Sequence, residues 1–157
     1  MAEAQNNYVR KFLVVIDDTP ESDRAVTFAA YRVRRTGGTV VLMAVIEPPG
    51  FMGLGVEDVL RAEAREAAET LLDIRTARIG KIGGVRCETV IREGRVADAV
   101  VSVIREDRNI AILVLGASAQ GDDPGPLVTH FATALSLPIP MTIVPGSMSD
   151  EEIIAIC

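Results

Sequence analysis

Residues 12–16 read Phe-Leu-Val-Val-Ile and residues 110–115 read Ile-Ala-Ile-Leu-Val-Leu, two apolar, β-branched runs without polar alternation. A strand with one wet face alternates apolar and polar residues. A strand without alternation is buried on both faces, as in a parallel sheet covered by helices. Parallel neighbours need long crossovers, and the segments between the apolar runs are long enough to be helices.

The punctuation agrees. The first strand, residues 11–16, stops at Asp17-Asp18-Thr19-Pro20, where Thr19 can cap a helix that begins with Pro20. Val26, Ala29, Ala30 and Val33 follow at helical spacing, Arg34 and Arg35 suit the last turn, and Gly37-Gly38 ends it. The pattern then predicts a strand over 39–46, a breaker-rich loop over 47–55, a long Ala/Glu/Arg helix over 56–79 and a turn over 80–84. A strand over 85–91, a helix over 96–105 and a strand over 110–115 come next. A loop over 116–126, a short helix over 127–135 and a strand over 140–145 complete the series. Ser149 with Glu152 forms a capping box for a last short helix. The expectation is one doubly wound, five-stranded parallel sheet with helices on both faces. Residues 1–8 form a loose lead, 9–146 the α/β domain and 147–157 a tail with a short helix.

Net charge is −6, which argues against nucleic-acid binding and against docking on anionic membranes. Apolar residues at 48% and charged residues at 24% describe a globular chain. Cys87 and Cys157 make neither a disulfide framework nor a metal cluster; Cys87 reads as a small core residue and Cys157 as an exposed thiol. The opening MAEAQNNYVRK has no apolar run of signal-peptide length, and the expected setting is cytoplasmic and reduced.

In an open α/β sheet, ligands bind beyond the carboxyl ends of the strands where the winding reverses. The candidates are therefore Asp17, Asp18 and Thr19 after the first strand, Glu47 and its Pro-Gly loop after the second, and residues 116–125 after the fourth. Asp17 and Asp18 could pair as in a phosphate-accepting receiver, but Glu93 and Pro145 stand where a receiver needs Asp and Lys. Asp17 is better read as orienting its loop or a ligand hydroxyl, with Asp18 solvated. His130, the only histidine, has no nucleophile placed beside it by any motif, and reads as a surface or half-buried helix residue. The loop carrying Phe51, Met52 and Leu54 reads equally as a lid, a partner surface or a mobile connection.

Five segments in order resemble the universal stress protein family: KFLVVIDDTPESDRAVTFAAYRVRRTGG, TVVLMAVIEPP, VIREGRVADAVVSVIRE, IAILVLGAS and PIPMTIVPG. The resemblance implies a Rossmann-like, adenine nucleotide alpha hydrolase-like fold. It implies ATP, accompanied by Mg, as the candidate cofactor, with Asp17 at a ligand hydroxyl, Val45 at the base, and Gly116 with Thr129 at ribose and phosphate. It also implies a homodimer through the closing strand (Met141, Thr142, Ile143, Val144), which the sequence would place at a sheet edge.

The family's phosphate motif is glycine, two residues, glycine, nine residues, glycine, then Ser or Thr. Here Gly116 fills the first place and Ala119 stands at the second. Counting forward puts Thr129 and His130 in the last two; counting back from the closing strand puts Leu127 and Val128 there. Gly121 and Gly125 fall out of register, Pro126 removes a donor, and Asp122 and Asp123 put negative charge where phosphates would lie. The expectation is a non-enzymatic stress-response regulator or sensor with weak, altered or absent adenine-nucleotide binding. The alternative is an ATP-binding member with slow hydrolysis. Enzymes of related architecture fit less well: the first loop lacks both a Ser-Gly-Gly-x-Asp-Ser pattern and the acid-free phosphate loop of a flavodoxin, and no P-loop lysine motif exists.

Overall fold

The computed structural model describes residues 8–51, 53–134 and 137–157. Five parallel strands, β1 (Lys11–Val15), β2 (Thr39–Ile46), β3 (Arg86–Glu93), β4 (Ile110–Ala117) and β5 (Met141–Pro145), lie in the order β3-β2-β1-β4-β5. The connections are α1 (Pro20–Thr36), α2 (Val56–Ile82), α3 (Val96–Glu106) and α4 (Pro126–Thr133), and α5 (Asp150–Ile156) follows β5. The doubly wound α/β sheet expected from the apolar runs is the observed fold.

Phe12, Leu13 and Val14 of β1 are all buried, at 3%, 0% and 0% exposure. Because successive side chains leave a strand on opposite faces, they feed two cores. Phe12, Val14 and Ile16 join Val40 and Leu42 beneath α1, with Leu72 and Ile79 of α2 and Ile153 of α5. Leu13 joins Val41, Met43 and Leu113 against Val100, Val103 and Ile104 of α3 and Phe131 of α4. At roughly 1.5–3 kcal/mol for each fully buried large aliphatic side chain, these two layers outweigh any single polar contact in the molecule.

Several boundaries and both cysteines depart from the sequence expectation, among them a third strand that runs on to Glu93. α2 passes through Gly80 to Ile82, because Ile82 still packs on the core and the helix terminates only at Gly83, whose N–H bonds to the Ile79 carbonyl at 3.1 Å. β4 extends to Ala117, so Gly116 is a strand residue, paired with Val144. β5 begins at Met141 and α4 begins at Pro126. The expected end of that helix at Leu135 lies outside the described residues, as do residues 1–7 and Met52. Cys157 is buried, not exposed: α5 lies against α1, and the thiol sits 3.7 Å from the Phe28 carbonyl. Cys87 is only half-buried, packed at the margin of the core. Burial pushes both thiols above their ordinary range.

Polar contacts fasten the helices at defined points. Arg75 of α2, 8% exposed, pairs with Asp23 of α1 at 3.0 Å and donates to the Asp17 carbonyl at 3.1 Å. Asp150 of α5 accepts from Arg24 of α1 at 2.7 Å and from Arg78 of α2 at 3.1 Å. At the amino end of the sheet, Lys11 donates to Asp107 at 2.8 Å and to Glu88 at 2.9 Å, joining β1, the end of α3 and β3. Those bonds raise the Lys11 pKa above 10.5. Desolvation pushes the Asp107 carboxyl up, but the hydrogen bonds from Lys11 and the Asn109 N–H outweigh it and hold the carboxyl below 3.8.

Two predictions follow from these contacts. Lys11→Met should lower unfolding free energy by about 1 kcal/mol in urea at neutral pH. The Asp107 contribution is complete above ordinary aspartate pKa and is lost as pH falls through the depressed native value. The Lys11 contribution is complete below 10.5 and is lost as pH rises through the raised native value. The wild-type advantage should therefore be flat near neutrality and shrink in acid; an advantage that grows in acid would contradict the assignment. Arg75→Met should cost about 1–2 kcal/mol, less than breaking a fully buried pair because Asp23 retains some access to water. An unchanged urea midpoint would show that the pair fastens nothing.

Candidate functional site

The winding reverses between β1 and β4, so the crossovers leave their carboxyl ends in different directions and a crevice remains. A cavity of about 460 Å³ lies there, bounded by the ends of β1, β2 and β4, the start of α3 and the first turn of α4.

Asp17 follows β1 and is held at three points. Its N–H donates to Ser22 Oγ at 3.1 Å, its carbonyl accepts from Arg75, and its Oδ1 accepts from the Thr19 N–H at 2.9 Å and closely from the Thr19 hydroxyl. Thr19 in turn caps α1, its Oγ1 accepting from the Ser22 N–H at 3.4 Å. The carboxylate is thus presented in one orientation by its own loop, and Oδ2 carries no hydrogen bond from the described residues. A carboxylate fixed this way suits recognition of a hydroxyl pair.

Val45, half-buried on β2, lies in the cavity wall and offers an apolar contact. Gly116 is also in the wall, but the reason for its glycine lies elsewhere. A Cβ there would stand 2.1 Å from the Glu21 carbonyl oxygen, so the first turn of α1 could not settle on β4. Gly146, just beyond β5, has its own packing reason: a Cβ there would come within 2.7 Å of the Ala117 carbonyl oxygen at the end of β4.

Of the four residues singled out from the sequence, Asp17, Val45 and Gly116 share this cavity. Thr129 does not: it is exposed and lines a neighbouring depression with Asp122 and Asp123, across a rim formed by Pro124 and Pro126, while His130 borders both. Asp18 is exposed and faces the groove between the end of β2 and α2. Glu93 pairs with Arg61 of α2 at 2.7 Å, a structural use.

The loop after β4 turns at positions that counting from the motif passes over. Gly121 has φ 69° and Gly125 has φ 114°, both in the region glycine favours. The Ser118 N–H bonds to the Pro124 carbonyl at 3.0 Å, and the Gly125 N–H bonds to Asp123 Oδ1 at 2.9 Å. Two further residues escape the sequence reading. Arg95, at the start of α3, is the only Arg or Lys of the cavity wall; it follows the Glu93-Gly94 turn and obeys the same rule as the residues after β1 and β2. Arg75 had no distinguishing signal, being one arginine among several on an Ala/Glu/Arg helix. The cavity's carboxylates are Asp17, Glu21 and Glu47. Among the described residues no cluster of His, Cys, Asp or Glu could hold a metal ion, and no helix is long and apolar enough to cross a membrane.

Comparison with known structures agrees with this architecture. UspA from Lactobacillus plantarum superposes with a TM-score of 0.75 at 16% identity, covering 88% of this chain and 99% of that one. A universal stress protein in complex with cAMP gives 0.67 at 21% identity, covering 89% and 99%. The universal stress protein from Archaeoglobus fulgidus in complex with dAMP gives 0.62 at 19% identity, covering 87% and 98%. At such identities the likeness speaks for the fold alone. No curated protein matches the chain in sequence. The sequence profile of the universal stress protein family, however, matches residues 9–145, nearly the whole described fold. The chain belongs to the universal stress protein family.

Proposed function

We propose that this chain is a non-enzymatic, cytoplasmic stress-response regulator that binds an adenine nucleotide weakly in the β1–β4 crevice. The observation that carries the reading is the convergence of a fixed carboxylate, Asp17, an apolar wall residue, Val45, and the backbone at Gly116 on one cavity at the winding reversal. Two structures of the same fold are described as complexes with cAMP and dAMP, which supports an adenine ligand. In this reading Asp17 accepts from a ribose hydroxyl, Val45 packs on the base, and the backbone from Gly116 to the first turn of α4 faces the phosphate side. Thr129, beyond the proline rim, contacts only a ligand long enough to cross it. If ATP enters, Mg accompanies it as part of the ligand.

The same reading includes a homodimer through β5. The sheet has two open edges. β3 exposes Arg86 and Glu88, charges that discourage pairing. β5 presents Ile143 at 40% exposure beside half-buried Met141 and Thr142.

Calorimetric titration of AMP into nucleotide-free protein should show saturable binding, and Asp17→Asn should weaken it about tenfold or more, the loss of a charge-assisted hydrogen bond. Equal affinity in the variant would remove Asp17 from the site. Gly116→Ala is not a clean probe, since the added methyl strikes the Glu21 carbonyl; it should lower the melting temperature even without ligand. Light scattering at micromolar concentration should give a dimer mass that Ile143→Lys converts to monomer, and a monomeric wild type would end the β5 interface.

A further inference from the structure

We propose that the crevice discriminates by ligand charge: it admits an adenosine-type ligand with no phosphate or one, and turns away the di- and triphosphate, with Asp123 setting the limit. The proposal rests on the nucleotide reading above and goes beyond it by naming the ligand class.

The cavity runs from Asp17 and Val45 to the first turn of α4. A ligand with its ribose at Asp17 directs its 5′ side toward that turn. A helix N-terminus ordinarily offers unpaired N–H groups to an anion. Here the donors are depleted. The Gly125 N–H is already taken, at 2.9 Å, by the carboxylate of Asp123. Pro126 has no N–H. Only the N–H groups of Leu127 and Val128 remain in the first turn, because the Thr129 N–H bonds back to the Gly125 carbonyl at 3.0 Å. The anion that the turn would otherwise bind is supplied by the chain itself.

Charge acts in the same direction. The wall carries Asp17, Glu21 and Glu47 against one permanent cation, Arg95, and Asp122 and Asp123 line the depression next door; the His130 imidazole borders both. Arg95 has an 83% exposed side chain and only a 4.0 Å approach to Asp98, so it can turn to meet one phosphate. A second and third phosphate would lie over Pro124 and Pro126, facing Asp122 and Asp123 with no further Arg or Lys in either wall. Like charges a few ångströms apart near a protein surface cost affinity on the order of tenfold for each added charge, and salt screens part of that cost.

The test is a calorimetric series on the full chain with adenosine, AMP, ADP and ATP, with and without Mg, at low and raised salt. Wild type, Asp123→Asn and the double variant Asp122→Asn, Asp123→Asn would be compared. The asparagine oxygen can still accept from the Gly125 N–H, so the loop keeps its turn while losing its charge; matching melting curves check this. The expected result is affinity falling about tenfold or more from AMP to ATP in wild type, a gap that narrows with salt and narrows about tenfold in Asp123→Asn. ATP binding as tightly as AMP to wild type would overturn the charge limit. So would Mg-dependent ATP binding that the asparagine variants abolish, since the carboxylates would then be cation ligands. Failure of adenosine and AMP to bind any variant would instead sink the nucleotide reading itself.

Discussion

Everything in this fold hangs on β1, a strand with no solvent face. Its side chains go alternately into two separate cores, so helices must cover both sides of the sheet. With β2 on one flank and β4 on the other, β1 is also where the winding changes direction. The same burial that stabilises the molecule therefore creates the crevice, and the residues that follow β1 stand in it. Stability and site are two results of one constraint.

The close seating of α1 depends on a different feature, the absence of side chains at Gly116 and Gly146. Gly116 lets the first turn of α1 approach β4 at a distance a methyl group would forbid, and Gly146, just past β5, lets the chain close on the Ala117 carbonyl with Glu21 packed tightly beside it. Arg75 secures the other side of the same turn by joining Asp23 to the Asp17 carbonyl. The orientation of Asp17 is thus fixed through backbone and packing, and its carboxylate is engaged locally at a single oxygen, by the N–H and hydroxyl of Thr19. A family glycine that is ordinarily explained by ligand approach has here a packing reason that needs no ligand.

The fold was legible because its signals are local and redundant. Unbroken apolar runs imply two-sided burial, Thr19-Pro20 and Gly37 mark a helix at both ends, and Ser149 with Glu152 opens α5. What failed depended on distant partners. Gly80 reads as a breaker, yet Ile82 finds a core to bury in and carries the helix past it. A cysteine at position 157 reads as exposed until α5 folds it under Phe28. In the site, Asp17 and Gly116 came from strand ends, which topology predicts, while Val45 came from the family resemblance. Thr129 came from counting along a motif through a loop whose turns are set by Gly121 and Gly125, and counting cannot follow a loop that closes on its own Asp123. Arg75 was invisible because burial, not residue type, separates it from its solvated neighbours.

The two borders of the sheet are chemically unequal: β3 carries outward charge along its length, while β5 is short and leaves Ile143 uncovered. A sheet that can be prolonged on one side only cannot propagate. When two copies meet edge to edge across a twofold axis, each consumes the other's single receptive border, and what remains outside is the charged one. Such an arrangement caps its own growth at two, so a chain built this way can be concentrated without becoming a seed for fibres.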